Sequence, residues 1–169
     1  MLTDFYIGFS PACFSLLGLW LVVVQINAGR WLDDPVRRRR AYGVALHFAL
    51  PGIMSLLALV DPASESMWRV SFAIIAVGGA AAMAAIRVPF SGPIRLDHAA
   101  QVAAVIIYLL IAVLAVVPNS LLRQEAVLLI VLVFLGFNVA WLLLYDRPGL
   151  ARAGAQDTAP DQGQRREVP

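Results

Sequence analysis

An all-α polytopic membrane protein, with five transmembrane helices in one bundle, is the fold class this sequence predicts. Three observations predict it. First, five windows, residues 5–29, 41–60, 70–86, 98–122 and 126–145, contain no Asp, Glu, Lys or Arg. Each is long enough, or nearly so, to cross the hydrocarbon core as a helix, which takes about 20 apolar residues. Second, 60% of the 169 residues are hydrophobic and only 14% are charged, against roughly 25% charged in a soluble domain. That deficit suits a lipid-facing surface, because a charge at mid-bilayer costs about 2.5–3.5 kcal/mol even on lenient insertion scales.

The third observation is where the arginines fall. All thirteen basic residues are Arg, which reads as coding bias. With five spans, residues 29–40, 87–97 and 146–169 share one side and hold Arg30, Arg37, Arg38, Arg39, Arg40, Arg87, Arg95, Arg147, Arg152, Arg165 and Arg166, eleven in all. The other side holds only Arg69 and Arg123. This positive-inside bias puts the N-terminus outside and the C-terminus in the cytoplasm of a plasma-membrane protein. Without the short, Ala-rich third span the split falls to six against seven, so the bias supports that span independently of hydropathy. It also argues against a dual-topology antiparallel dimer. The net charge of +2 comes from loops and tail. Its arginines sit at membrane edges, so nucleic acid is not an expected partner.

The spans are expected at about 5–28, 41–60, 68–87, 98–117 and 121–145, making a five-helix domain over 1–146. Thr3 is a candidate N-cap of the first, and Pro11 predicts a kink in it. Asp4 near the start and the long apolar stretch argue against a signal peptide. The single cysteine, Cys13, allows no intrachain disulfide and reads as a small buried hydrophobe. Asp33-Asp34-Pro35 marks a turn in a basic loop. Pro51-Gly52 predicts a kink or local unwinding in the second span. Asp61-Pro62 reads as a cap and first-turn proline before the third.

In the third span, Gly78 and Ala82 stand four apart, a spacing that lets helices approach closely. Asp97 reads as the cap of the fourth span. Pro118-Asn119-Ser120 reads as a tight turn joining the last two spans as a hairpin. Residues 147–169 are rich in Pro, Gly, Ala, Gln and charge, and are expected to be a disordered cytoplasmic tail. Tyr6 and Trp68 fall at the outer boundary; Trp31, Tyr42, Trp141 and Tyr145 fall near the inner one, as interfacial anchors would.

Orientation assigns depth. Gln25, Asn27, His47, His98, Gln101 and Asn138 share the cytoplasmic-side zone, with His47 about 9 Å inward of the start of its span. Four faces are expected to turn inward: Pro11, Ser15, Gly18, Val22 and Gln25; Gly43, His47, Pro51 and Ser55; Gln101, Tyr108, Ala112 and Ala115; Asn138, Trp141 and Tyr145. Two meanings compete for this zone. One is interhelical hydrogen bonding that fixes packing. The other is a shallow polar pocket rimmed by Arg37, Arg38, Arg39 and Arg40, suited to an anionic ligand, a lipid headgroup or an acidic segment of a partner.

His47 and His98 differ in depth, and no carboxylate lies near His47 in sequence to orient it. No metal or other cofactor is therefore expected. Glu125, the one carboxylate inside a span, reads as part of a rim ion pair with Arg123 or Arg69, with a substrate or proton site as the alternative.

No span carries an ionisable group near mid-membrane, as an ion pump normally would. No serine has a base at its depth, except Ser55 or Ser15 beside His47 at best, so no catalytic residues are assigned. The expected function is that of a non-enzymatic structural or accessory subunit, whose partners are membrane lipids and a second copy or a larger membrane complex. The alternatives are a small-solute transporter or oligomeric channel, and an anionic-lipid-binding protein.

Overall fold

A computed structural model describes residues 2–31, 33–60, 64–86, 95–117 and 122–145. They form α1 (Leu2–Ile26), α2 (Ala28–Trp31), α3 (Pro35–Val60), α4 (Glu65–Ala85), α5 (Arg95–Val116) and α6 (Leu122–Tyr145). No strand occurs among the described residues. Five of the six helices, all but the single turn of α2, are long and apolar enough to cross a membrane. Asp61-Pro62, the turn at 118–120 and the tail at 147–169 lie outside the described residues.

Several helix starts differ from the sequence expectation. α1 begins at Leu2, so Thr3 lies inside it. α5 begins at Arg95, which puts Asp97 in its first turn. Ser64 holds the N-cap position of α4, without a side-chain cap bond. The largest difference is at α3, which starts at Pro35, ahead of its charge-free window. Asp34 causes this. Its Oδ1 accepts the backbone N–H of Val36 at 2.9 Å and of Arg37 at 3.4 Å, and its Oδ2 lies 3.4 Å from Arg37 Nε. An Asp N-cap followed by proline at the first helical position is a strong start signal. The Arg37–Arg40 run is therefore helical.

Helix α3 is the axis of the bundle. It packs along α1, α6 and α4, while α5 lies mainly along α4 and touches α6 over a shorter stretch. Accordingly 39% of the apolar window of α3 is buried, against 17% for the peripheral α1. Both α1 and α3 stay helical through Pro11 and Pro51. Pro51 withholds a donor from the carbonyl of His47, and side chains bond the backbone close by. Ser10 Oγ donates to Gly52 O at 3.4 Å, Tyr108 Oη to Leu46 O at 3.4 Å, and Ser55 Oγ to Pro51 O at 2.8 Å.

One apolar cluster, with Tyr6, Met54, Trp68, Phe72, Tyr108 and Leu129, runs from the end of the bundle near the start of α1 along α4 and α5 to Met83. A smaller one, with Trp20, Trp31, Val44, Phe48 and Leu143, joins α1, α2, α3 and α6 toward the other end. There the indole N–H of Trp20 donates to Ala41 O at 2.9 Å, tying α1 to α3. The aromatic side chains expected as interfacial anchors divide. Tyr42 and Trp141 are exposed, whereas Tyr6, Trp68 and Trp31 are buried. Tyr6 and Trp68 each meet Phe72 edge-on, and Trp31 packs on Trp20.

Close helix approach in α4 falls one residue away from the expected Gly78–Ala82 pair. Gly78 faces outward, with nothing within 4 Å of where a Cβ would stand, and Ala82 is half-buried. Gly79 is the buried one, and a Cβ there would stand 2.9 Å from Leu50 and 3.0 Å from the Tyr108 ring. The buried face of α4 is thus Phe72, Ala76, Gly79, Ala80 and Met83.

Candidate functional site

A cavity of about 40 Å³ opens beside α3, lined by Arg40, Gly43 and His47 of α3, Met83 of α4 and Ile86 just beyond it, Gln101 of α5 and Val139 of α6. It sits at the bundle end where α3 and α5 begin and α4 and α6 finish. Each wall follows from its helix. Arg40, Gly43 and His47 recur at steps of three and four, which places them on one face of α3. Gly43 leaves space, since a Cβ there would meet only Ile86 Cδ1, at 3.7 Å. Gln101 reaches across from α5 and donates its amide Nε2 to Met83 O at 2.7 Å and to Ile86 O. It satisfies carbonyls left without partners at the end of α4.

The chemistry of the cavity centres on His47, which is 3% exposed. Its Nδ1 lies 2.7 Å from Gly43 O. A carbonyl only accepts, so Nδ1 is the donor. The neutral ring then carries a lone pair on Nε2. That atom is buried and has no hydrogen-bond partner. An orphan acceptor of this kind costs about 1–3 kcal/mol unless something donates to it. The cavity exceeds the ~10–15 Å³ that one water requires.

Of the six polar residues expected to cluster, the structure brings His47 and Gln101 together. Gln25 is exposed. Asn27 donates to Val23 O at 2.9 Å, one turn back on its own helix. Asn138 is exposed and donates to Phe134 O at 2.7 Å. His98 is exposed on α5.

The four arginines do not form a common rim. Consecutive helical residues turn about 100°, so the run points in different directions. Arg37 is buried against Asp34, Arg38 and Arg39 are exposed, and Arg40 alone lines the cavity. Two inward faces also differ from expectation. Pro11, Ser15, Gly18, Val22 and Gln25 are all exposed, as are Asn138 and Trp141. α1 instead buries Tyr6, Ser10, Cys13 and Trp20, and α6 buries Glu125, Leu129, Leu132, Gly136, Ala140 and Leu143. Close-fitting small groups facing α3 set both seams, Cys13 against Gly52 and Gly136 against His47, and Asn138 meets its need within its own helix.

A second group of buried polar atoms lies at the opposite end. Glu125 is fully buried, and neither carboxylate oxygen has a hydrogen-bond partner. The same holds for the hydroxyl of Tyr6, which is 4% exposed. Glu125 interacts electrostatically with both Tyr6 and Arg69. Arg69 Nη1 donates to Val117 O at 3.1 Å, and its guanidinium lies 5.5 Å from the centre of the Trp68 ring. Tyr6 gave no sign in the sequence beyond its depth. Of the lining residues Gly43 was marked by the repeat it shares with His47; Met83, Ile86 and Val139 are ordinary apolar residues and carried no signal.

No group of three or more His, Cys, Asp or Glu side chains that could hold a metal occurs among the described residues. The architecture defines the class: an all-helical chain with five helices compatible with a multi-pass membrane protein. Comparison with protein-family models, curated proteins and solved structures gives no match.

Proposed function

We propose that this chain is a multi-pass plasma-membrane protein, N-terminus outside and C-terminus cytoplasmic, that serves as a non-enzymatic structural or accessory subunit. What supports this reading is the destination of the polar side chains in its helices. Ser10, Trp20, Tyr108 and Gln101 bond backbone carbonyls of neighbouring helices or of the segment just past one. Asn27, Ser55, Ser71 and Asn138 bond carbonyls one turn back on their own. The first four bonds hold helices together, and none of the eight groups is poised as nucleophile or base. Membrane lipids and a second copy or another membrane protein are the partners it implies.

The arginine asymmetry supports the orientation. A cytoplasm-dependent reporter fused after Pro169 is expected to be active; activity of a reporter that works only outside the cytoplasm contradicts the orientation. For the subunit role, the full chain is extracted from membranes in mild detergent and its native mass is measured. The expected particle carries more protein than one 18.3 kDa chain. A lone monomer that drives solute flux in proteoliposomes overturns the proposal.

One observation favours a second reading, small-solute transport. An ionisable residue buried within a span is a functional-site signal by default, and Glu125 has neither oxygen bonded.

A further inference from the structure

We propose that the outward face of α1, along Gly8, Pro11, Ser15, Gly18, Val22 and Gln25, is the seam through which two copies of this chain associate side by side in the bilayer. The inference rests on the subunit proposal and its orientation, and it names the partner and the surface.

It starts from the spacing. These six residues follow one another at steps of three, four, three, four and three, the seven-residue repeat of a helix that packs along a second helix. Within one chain that seam is uncovered: all six residues are exposed. α1 turns Tyr6, Ser10, Cys13 and Trp20 into the bundle instead, and at about 100° per residue these lie on the far side of the helix. Only 17% of the α1 window is buried, the lowest of the five spans. Two side chains in the seam are polar and unmet. Ser55, Ser71 and Asn138 each bond a carbonyl one turn back on their own helix. Ser15 Oγ and the Gln25 amide have no hydrogen-bond partner among the described residues. Ser15 stands near the middle of α1, where lipid tails offer none.

A second copy fits this face. The arginine asymmetry gives every copy the same orientation, so a two-fold axis along the membrane normal brings like residues together at like depth. Ser15 then meets Ser15 of the second copy, and Gln25 meets Gln25. A hydroxyl and a primary amide each donate and accept, so both pairs are self-complementary, which a donor-only or acceptor-only side chain would not be. Residues 5–29 carry no charge, so nothing along the seam repels a like chain. Gly8 and Gly18 let the two backbones approach, since a Cβ at either has nothing within 4 Å.

The test reads disulfide cross-linking of the full chain in intact membranes, oxidised with copper phenanthroline. In a Cys13→Ala background, Ser15→Cys, Gly18→Cys and Val22→Cys place single thiols on the seam. Ile106→Cys and Phe134→Cys place them on α5 and α6, at residues 51% and 67% exposed. A covalent two-chain product is expected from the three seam positions and not from the other two. Native mass after mild extraction is the second measurement. Gly18→Leu should shift the particle from two 18.3 kDa chains to one, with helicity unchanged because the added side chain starts into open space. Gly78→Leu, equally open on α4, should leave two. Ser15→Ala should weaken association about threefold, the value of one hydrogen bond between membrane helices.

Cross-linking confined to Ile106→Cys or Phe134→Cys, or a multi-chain particle that survives Gly18→Leu, overturns the α1 seam and leaves the subunit proposal standing. A particle holding one copy and a different protein overturns the pairing of like chains. A single-chain particle with no cross-linking at any position overturns the seam and the subunit proposal together.

Discussion

Gly136→Ala is expected to loosen the bundle more than a methyl added at any other described glycine. A Cβ at residue 136 would stand 2.4 Å from His47 Cβ and 3.1 Å from His47 Cγ. Carbon atoms in contact rest about 3.5–4.0 Å apart. The nearer atom is a Cβ fixed to the α3 backbone, so no rotamer change moves it away, and α6 must withdraw from α3. Overpacking of this kind costs about 1–3 kcal/mol. Alanine's better helix propensity returns at most about 1 kcal/mol.

Gly78→Ala is the matched control, with nothing within 4 Å of the added carbon. It should be neutral or slightly stabilising. Unfolding of both variants in mixed micelles, followed by tryptophan fluorescence, measures the difference. Equal midpoints would show that α6 does not approach α3 this closely. Because His47 is the residue displaced, Gly136→Ala should also disturb the cavity it lines.

The contrast between those two glycines shows what sequence can and cannot convey in lipid. The existence and approximate length of the five long helices were legible, because runs without charge have one economical solution in a bilayer. The inner face of α3 was legible too. Gly43, His47, Pro51 and Ser55 are all buried, and a central helix must turn its polar groups toward its neighbours. The pair Gly78-Gly79 was ambiguous in principle. Adjacent residues point about 100° apart, and only the neighbouring helices decide which one is crossed.

The face of α1 was misread for a related reason. This helix is peripheral, and Ser15 and Gly18 carry too little polarity to orient it. Contact with α3 around Cys13 and Gly52, where a Cβ on the glycine would stand 3.1 Å from Cys13 Cβ, sets its rotation instead. At the cavity, the sequence marked His47 and Gln101 as sharing the cytoplasmic-side zone and Arg40 as part of its rim. It could not say that Asp34 would start α3 early and aim the other three arginines elsewhere. The grouping of Tyr6, Arg69 and Glu125 joins three helices distant in sequence, and no periodicity within one helix reports it.

Glu125→Leu is expected to raise stability, by about 1–3 kcal/mol, which is the cost of a buried polar group left unsatisfied. The carboxyl is fully buried and neither oxygen has a hydrogen-bond partner. Leucine has a similar volume, and Glu125 lies beside Tyr6, whose ring belongs to the larger apolar cluster. Replacing buried charges by well-packed apolar residues is often neutral or stabilising.

Arg69 loses an electrostatic partner but keeps its bond to Val117 O and its position beside the Trp68 ring. Tyr6→Phe should likewise cost little, because the hydroxyl it removes is unbonded while the ring contacts with Phe5 and Phe72 remain. Melting in nanodiscs at pH 7 checks both variants, and a destabilised Glu125→Leu would show that the carboxyl is satisfied in the bilayer. A stabilised variant gives the residue a meaning beyond packing, since a chain gives up stability at a buried acid where the acid serves something else. Solute flux that vanishes with Glu125→Leu assigns that service to transport. Unchanged flux with loss of the native assembly assigns it to the subunit contact.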